Sequence, residues 1–280
     1  MSVFTYLKDS FARKKARRVF QQYDTRVDTF QLKNGETVEF ANWLNPLIKP
    51  KQITQREIDF FRKYITPGSF CIDIGANIGD LTVSIAFAAG GEGLVVGFDP
   101  NPQVFRILEA NARLNAGKAN IVPVQLAATE TNKEFYFASS EASMSNGGLI
   151  EDFNDDRHGK FKIKEPIKGV NLGEYLQEFY SGRLHQLSFI KLDAEGFDYS
   201  ILTTLLPLVE KNHPTIIMEV YHRLTEQTRS DIFSLLKKLN YTILNIGDFE
   251  FDTDFTPTPV NSLDDMPKHG KTENIIAFIG

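Results

Sequence analysis

Acidic side chains recur at the ends of apolar runs in this sequence. Asp73 closes Phe70-Cys-Ile, and Asp99 closes Gly93-Leu-Val-Val-Gly-Phe98. Asp193 and Glu195 follow Phe189-Ile-Lys-Leu192. Glu219 lies in Ile216-Ile-Met-Glu-Val220, with His222 just beyond. If these runs are strands of an open parallel sheet, the acids gather at one rim, where such sheets bind ligands. The turn Gly75-Ala-Asn77-Ile-Gly79 follows Asp73, and a helix-like segment runs from Leu81 to Ala89. A glycine turn lets a ligand touch the backbone, and the helix N-terminus behind it favours a negative group. Asp99 comes 26 residues after Asp73. An acid at the end of the second strand of a nucleotide-binding βαβ unit accepts hydrogen bonds from ribose. The plainer role for Asp99 is to cap the helix starting near Pro102.

The middle of the glycine turn separates two ligands. A dinucleotide turn has glycine there, so that a pyrophosphate can approach the backbone. Here Asn77 holds that position. Asn tolerates a left-handed backbone, but its side chain fills the space of the pyrophosphate. A ligand with a ribose and no pyrophosphate fits better, and S-adenosylmethionine (SAM) is one. Its methionine carboxylate would lie over the turn and its ribose on Asp99. An NAD(P)-linked oxidoreductase shares the strand, turn and ribose acid and stays open. So does a non-catalytic scaffold of the same fold, although Asp73, Gly75, Gly79, Asp99 and Asp193 together argue against a dead site.

Methyl transfer from a sulfonium is mainly a matter of alignment. A hydroxyl acceptor also needs a base. His222 is the first candidate, because histidine titrates near working pH. Asp193 and Glu195 are further catalytic candidates, with capping of a helix near Asp198 as the alternative. Asp193 and Glu219 could share a Mg2+ ion that holds the acceptor oxygen. The stretch Ser139-Ser-Glu-Ala-Ser-Met-Ser-Asn-Gly-Gly148 is rich in hydroxyls and amides. Ser143, Ser145 and Asn146 are candidates to bind a polyhydroxylated acceptor, against the alternative of a flexible loop.

These pieces, in order, resemble the FkbM family of SAM-dependent methyltransferases. The matching segments are Phe70 to Gly79, Gly97-Phe-Asp-Pro-Asn-Pro102, Leu126-Ala-Ala-Thr129, Asn171-Leu-Gly-Glu-Tyr-Leu176, Phe189 to Gly196, Ile216 to Val220 and Glu273-Asn-Ile-Ile-Ala277. They span roughly residues 65 to 279. The resemblance implies a class I, Rossmann-like α/β fold: a seven-stranded, mostly parallel, doubly wound sheet with an antiparallel last strand. It implies SAM held by Asp73, Gly75, Asn77, Gly79 and Asp99, with Asn101 and Ala127 in matching segments. With the polar insertion, it implies O-methylation of a sugar, glycan or polyhydroxylated metabolite. Two positions depart from the family pattern. Asp99 stands where Glu is more usual, and Gly173 stands where Asp is common.

The elements that would position these groups are legible from periodicity. Strands are expected near 70–74, 94–98, 121–125, 188–192, 215–220, 241–246 and 274–279. Helices are expected near 54–64, 78–89, 102–115, 173–180, 198–208 and 225–239. Residues 27 to 40 alternate around Asn34-Gly35, a hairpin signal. Residues 1 to 50 read as a cap or dimerisation arm, and 51 to 280 as the main domain. Long insertions fall near 131–170, with strand-like ends, and 247–272, with Phe249, Phe251 and Phe255; both suit binding lids. Residues 1 to 23 place Phe4, Leu7, Phe11 and Val19 at near-helical spacing beside Arg13, Lys14, Lys15, Arg17 and Arg18. Such a helix can lie on an anionic membrane, or pack on its own domain or a dimer mate.

Of 280 residues, 42% are hydrophobic and 24% charged, which suits a globular protein with a full core. A net charge of −5 argues against a general nucleic-acid binder. The single cysteine, Cys71, excludes an intrachain disulfide framework. No membrane-spanning run and no signal-type h-region is read, so a cytoplasmic protein is expected, with the inner membrane face as an added location.

Overall fold

The computed structural model describes residues 3–248, 251 and 256–280, with side chains from residue 6. Phe249, Phe255 and the Phe4 side chain lie outside the described residues.

The chain begins with helix α1 (Val3–Arg18) and a hairpin of β1 (Thr25–Gln31) and β2 (Thr37–Trp43). The hairpin turns at Asn34-Gly35 as expected, with antiparallel register Gln31 to Thr37. The main sheet then builds up through α2 (Gln55–Arg62), β3 (Phe70–Ile74), α3 (Thr82–Ala89), β4 (Leu94–Phe98), α4 (Pro102–Ala112) and β5 (Ile121–Val124). Four short or long strands follow: β6 (Ala127–Thr129), β7 (Glu134–Ser139), β8 (Gly148–Ile150) and β9 (Phe161–Asn171). The chain returns through α5 (Leu172–Tyr180), β10 (Leu187–Leu192), α6 (Asp198–Thr204), α7 (Leu206–Asn212) and β11 (Thr215–Val220). It finishes with α8 (Glu226–Lys238), β12 (Thr242–Gly247), β13 (Thr258–Pro259) and β14 (Glu273–Phe278).

Several helices start where short polar side chains can cap them. Thr54, Asn101, Asn171 and Thr225 each accept a hydrogen bond from a first-turn N–H, the usual relief for orphan donors. Asn101, and not Asp99, caps α4.

The main sheet has the order β13-β12-β14-β11-β10-β3-β4-β5. Strands β11, β10, β3, β4 and β5 are parallel neighbours, and β14 inserts antiparallel between β11 and β12. The expected seven strands are all present. An eighth, the two-residue β13, is added because Thr258-Pro259 pairs with the outer edge of β12. Strand alternation divides the core. Phe70, Ile72 and Ile74 face α5, α6 and α8 on one side, while Cys71 and Val95 face α2, α3, α4 and the hairpin on the other. Burial pushes the Cys71 thiol up to about 12, so it is an inert core residue.

The boundaries differ from periodicity in two places. Helix α3 begins at Thr82, because residues 75–81 form a turn with left-handed Gly75, Asn77 and Gly79. The helix expected over 198–208 is two helices meeting at Leu205, with Pro207 in the first turn of the second.

The 131–170 insertion is not a structureless lid. With β6 it forms a second sheet of order β6-β9-β7-β8. The 247–272 insertion lies elsewhere: its Phe251 packs on Phe60 and Phe61 of α2, at ring separations of 5.3 and 5.9 Å. The hairpin shares a core with the main domain through Val38, Phe40 and Trp43. Its second strand is clamped by α4 and the turn after it, with the Asn111 Oδ1 atom accepting from the Ala41 N–H (2.6 Å) and Asn115 Oδ1 from the Glu39 N–H (2.8 Å).

Gly173 explains one departure from the family pattern. A Cβ there would stand 2.3 Å from the carbonyl oxygen of Thr204. Helix α5 approaches the end of α6 too closely for a side chain. Gly173→Asp, the residue common in the family, is expected to lower stability by about 1–3 kcal/mol, measured by denaturant unfolding.

Candidate active site

The order of β3, β4 and β5 runs one way from β3, and β10 and β11 run the other. The switch therefore lies between β3 and β10, the place where open α/β sheets bind ligands. Lys191, in β10, sits across this switch in register with Asp73. Its Nζ lies 3.1 Å from Asp73 Oδ1 and 3.4 Å from Asp193 Oδ2. It also donates to the carbonyls of Ile74 and Gly75, both at 3.3 Å. Burial works to lower the Lys191 pKa, but Asp73 and Asp193 outweigh it and the net shift is upward. Burial alone would push the Asp73 carboxyl up. Its net shift is upward, because burial outweighs the pull of the ammonium beside it and of a 2.6 Å hydrogen bond from Thr82 Oγ1.

Gly75 completes this junction. A Cβ at Gly75 would lie 2.0 Å from the Asp193 carbonyl oxygen, and its φ is +72°. Only glycine lets the turn close on the end of β10.

The turn is then gripped by Asp99. Its Oδ2 accepts from the Asn77 N–H (2.8 Å) and its Oδ1 from the Asn101 N–H (2.9 Å). Asn77 is left-handed, with φ +50°, as its residue type allows. Burial raises the Asp99 pKa to about 7 against the pull of these two donors. Each carboxylate oxygen has the capacity to accept a second hydrogen bond, and Asp99 lines the cavity described below.

A second carboxylate grips the loop after β10. Asp198 accepts from the Ala194 N–H (2.8 Å) and the Gly196 N–H (3.1 Å). It holds Glu195 in a left-handed conformation, φ +51°. The expected alternative, that Asp193 and Glu195 cap the next helix, does not describe this loop: Phe197 is the N-cap and has no side-chain bond. Burial, then the nearby Asp193 and Asp198 charges, raise Glu195 to about 7. Burial and Asp193 raise Asp198 to about 7. Burial and the charges of Asp193, Asp198 and Glu195 raise Glu219 to about 9.

A cavity of about 200 Å³ opens here. Gly75, Asn77, Asp99, Asn101, Ala127, Asp193, Glu195, Ser145 and Asn146 all line it, with Phe98, Phe137 and Phe197 as apolar walls. The structure thus brings most of the expected residues together. Others lie apart from this lining. Asp73 and Gly79 are structural neighbours beneath it; Gly79 packs against Leu108 of α4. Ser143 is buried, its N–H donating to the Ala16 carbonyl and its hydroxyl to Ser145. His222 is occupied by Thr272 at Nδ1 (3.1 Å) and Arg223 at Nε2 (3.2 Å). Among the described residues no group of three or more His, Cys, Asp or Glu side chains is arranged to hold a metal. The Asp193–Glu219 pair gains no third ligand there, and the cation on Asp193 is Lys191.

Lys191 and Asp198 were missed by sequence reading. Their signals were present: a lysine inside the apolar run Phe189 to Leu192, and an acid directly after Gly196-Phe197.

Switch-point cavity, an acid directly after β4 and an inserted antiparallel strand together define a class I methyltransferase architecture. The family described as the methyltransferase FkbM domain matches residues 73–243. The chain belongs to that family. No curated protein matches it in sequence. A methyltransferase FkbM from Methylobacillus flagellatus KT is 14% identical, covering 79% of this chain and 50% of its own, at a TM-score of 0.43. This chain thus spans about half the length of that protein. Fibrillarin from Aeropyrum pernix, solved with natively bound SAM, is 11% identical over 92% of this chain and 96% of its own, at 0.41. A SAM-dependent O-methyltransferase from Thermotoga maritima is 10% identical over 90% and 78%, at 0.39.

The raised carboxyls set a pH dependence. Each binds its proton more tightly in the folded protein than in the unfolded chain. Their stabilising contribution is whole below about pH 4, and is lost as pH rises through about 7 for Asp99, Glu195 and Asp198 and about 9 for Glu219. The thermal midpoint of the ligand-free protein is expected to fall across this range, and Glu219→Gln to remove the upper part of the fall, measured by calorimetry.

Proposed function

We propose that the protein transfers a methyl group from SAM to a hydroxyl of a sugar, glycan or polyhydroxylated metabolite. The observation that carries this reading is one cavity that joins the Asp99 turn, the Asp193–Glu195 loop and the polar wall Ser145 to Gly148. The residues fit the cofactor. Asp99 has both oxygens oriented by backbone donors and spare lone pairs for ribose hydroxyls. Gly75 and Asn77 offer backbone to the methionine end, and Leu126, Ala127 and Phe137 offer apolar surface to the base.

When bound, SAM supplies a methyl carbon already activated by a positively charged sulfur. The chain's part is to align an acceptor oxygen and take its proton. Glu195 is the base in this reading. It lines the cavity, and a pKa near 7 suits proton removal at neutral pH. His222 lies off the lining with both ring nitrogens engaged, so the base assignment moves from it to Glu195. Asp193 places negative charge beside the same space. Ser145 and Asn146 are the acceptor contacts, while Ser143 supports Ser145 from behind.

Two measurements test this. Asp99→Asn is expected to weaken S-adenosylhomocysteine binding by about tenfold or more, read by calorimetry; unchanged affinity would sink the cofactor assignment. At saturating cofactor, turnover is expected to rise as pH passes through about 7, as the Glu195 carboxyl ionises. Glu195→Gln should flatten that rise and cost about 10²–10⁴ in kcat with S-adenosylhomocysteine affinity retained, against a panel of sugars and glycans.

A further inference from the structure

Helix α1 shows an uncovered face that the methyltransferase site does not use. Leu7, Phe11, Lys14 and Arg18 follow at spacings of four, three and four, which places them in one stripe. All four are exposed, Leu7 at 59% and Phe11 at 72%. The opposite side packs on the protein, where Ala16 is fully buried. The orientation is fixed by backbone bonds. The carbonyls of Ala16 and Arg17 accept from the Ser143 and Ala142 N–H groups, both at 3.1 Å, and Arg17 pairs with Glu141 at 3.6 Å. The stripe is thus held outward.

Its charge is opposite to that of the molecule. Helix α1 carries Lys8, Arg13, Lys14, Lys15, Arg17 and Arg18 against the single acid Asp9, while the chain as a whole is at −5. Leu7 and Phe11 can enter the acyl boundary while Lys14 and Arg18 in the same stripe meet anionic headgroups. Two residues beyond the helix, Phe20 is 57% exposed and rims a groove shared with Met144, Phe161, Lys162 and Lys164, the same apolar and basic mixture. No helix among the described residues is long and apolar enough to cross a membrane. Contact would be peripheral.

We propose that the Leu7–Phe11–Lys14–Arg18 face of α1 docks the protein on an anionic lipid surface. The docked helix is bonded to the wall of the methyl-transfer cavity. Arg17 pairs with Glu141, and Glu141 accepts from the hydroxyl of Ser145, a lining residue, at 2.5 Å. Docking therefore bears on the cavity wall through Arg17, Glu141 and Ser145.

The test is co-sedimentation of the full chain with vesicles of phosphatidylcholine, with and without phosphatidylserine, at low and high salt. The expected result is retention only with phosphatidylserine and release by salt. Leu7→Ser with Phe11→Ser, and separately Lys14→Glu with Arg18→Glu, should each reduce retention by about tenfold or more. Both pairs are solvent-facing, and unchanged S-adenosylhomocysteine binding confirms that the variants are folded. No retention, equal retention on neutral vesicles, or retention that survives both variant pairs overturns the proposal. So does a dimer in sedimentation equilibrium that Phe11→Ser converts to monomer, since the face would then be covered by a second copy.

Discussion

The buried ammonium of Lys191 is the constraint on which the site depends. It is 6% exposed, in the middle of the sheet, where an unpaired charge would be very costly. It is tolerated because two carboxylates and two backbone carbonyls converge on it. That convergence joins β3 to β10 at the sheet's switch point and draws the glycine turn onto the end of β10. Gly75 is the complement of Lys191: the turn closes only because nothing projects from its Cα. The ion pair with the glycine contact gives the cavity at this junction a rigid floor.

Above that floor, two further carboxylates act on backbone N–H groups. Asp99 holds Asn77 and Asn101. Asp198 holds Ala194 and Gly196. Each fixes a loop whose neighbouring residue faces the cavity, in a conformation that only a left-handed residue or glycine adopts easily. The same burial that makes these carboxyls effective clamps raises their pKa values. Folding thus gathers several carboxyls into a small volume, and the structure tolerates them by leaving some protonated near neutral pH. Such perturbed groups are common at functional sites.

The 131–170 insertion changes the meaning of the polar stretch within it. As sequence it reads as a loop of hydroxyls. In the fold it is the rim of a second sheet, pinned on one side by the Asn101 amide to the Met144 carbonyl (2.7 Å) and on the other by the end of α1. This polar wall of the cavity is therefore attached to both the Asn101 segment and the N-terminal helix.

Much of this was readable from residue order. Alternation and glycine position marked the strands and the hairpin at Asn34-Gly35, because local propensity and core burial agree there; the antiparallel insertion of the last strand was implied by the family resemblance. The motifs around Asp73, Asp99 and Asp193 pointed to the cavity, since parallel strands end on one rim. What only the tertiary structure decided is which polar groups face inward. Ser143 and His222 have suitable chemistry, but their hydrogen bonds are taken by Ala16, Ser145, Thr272 and Arg223, partners brought in from elsewhere in the chain. Lys191 and Asp198 carry no catalytic signature, yet the site is built on them. Pairing across strands and loops is a property of three-dimensional neighbours, and a linear pattern holds no record of it.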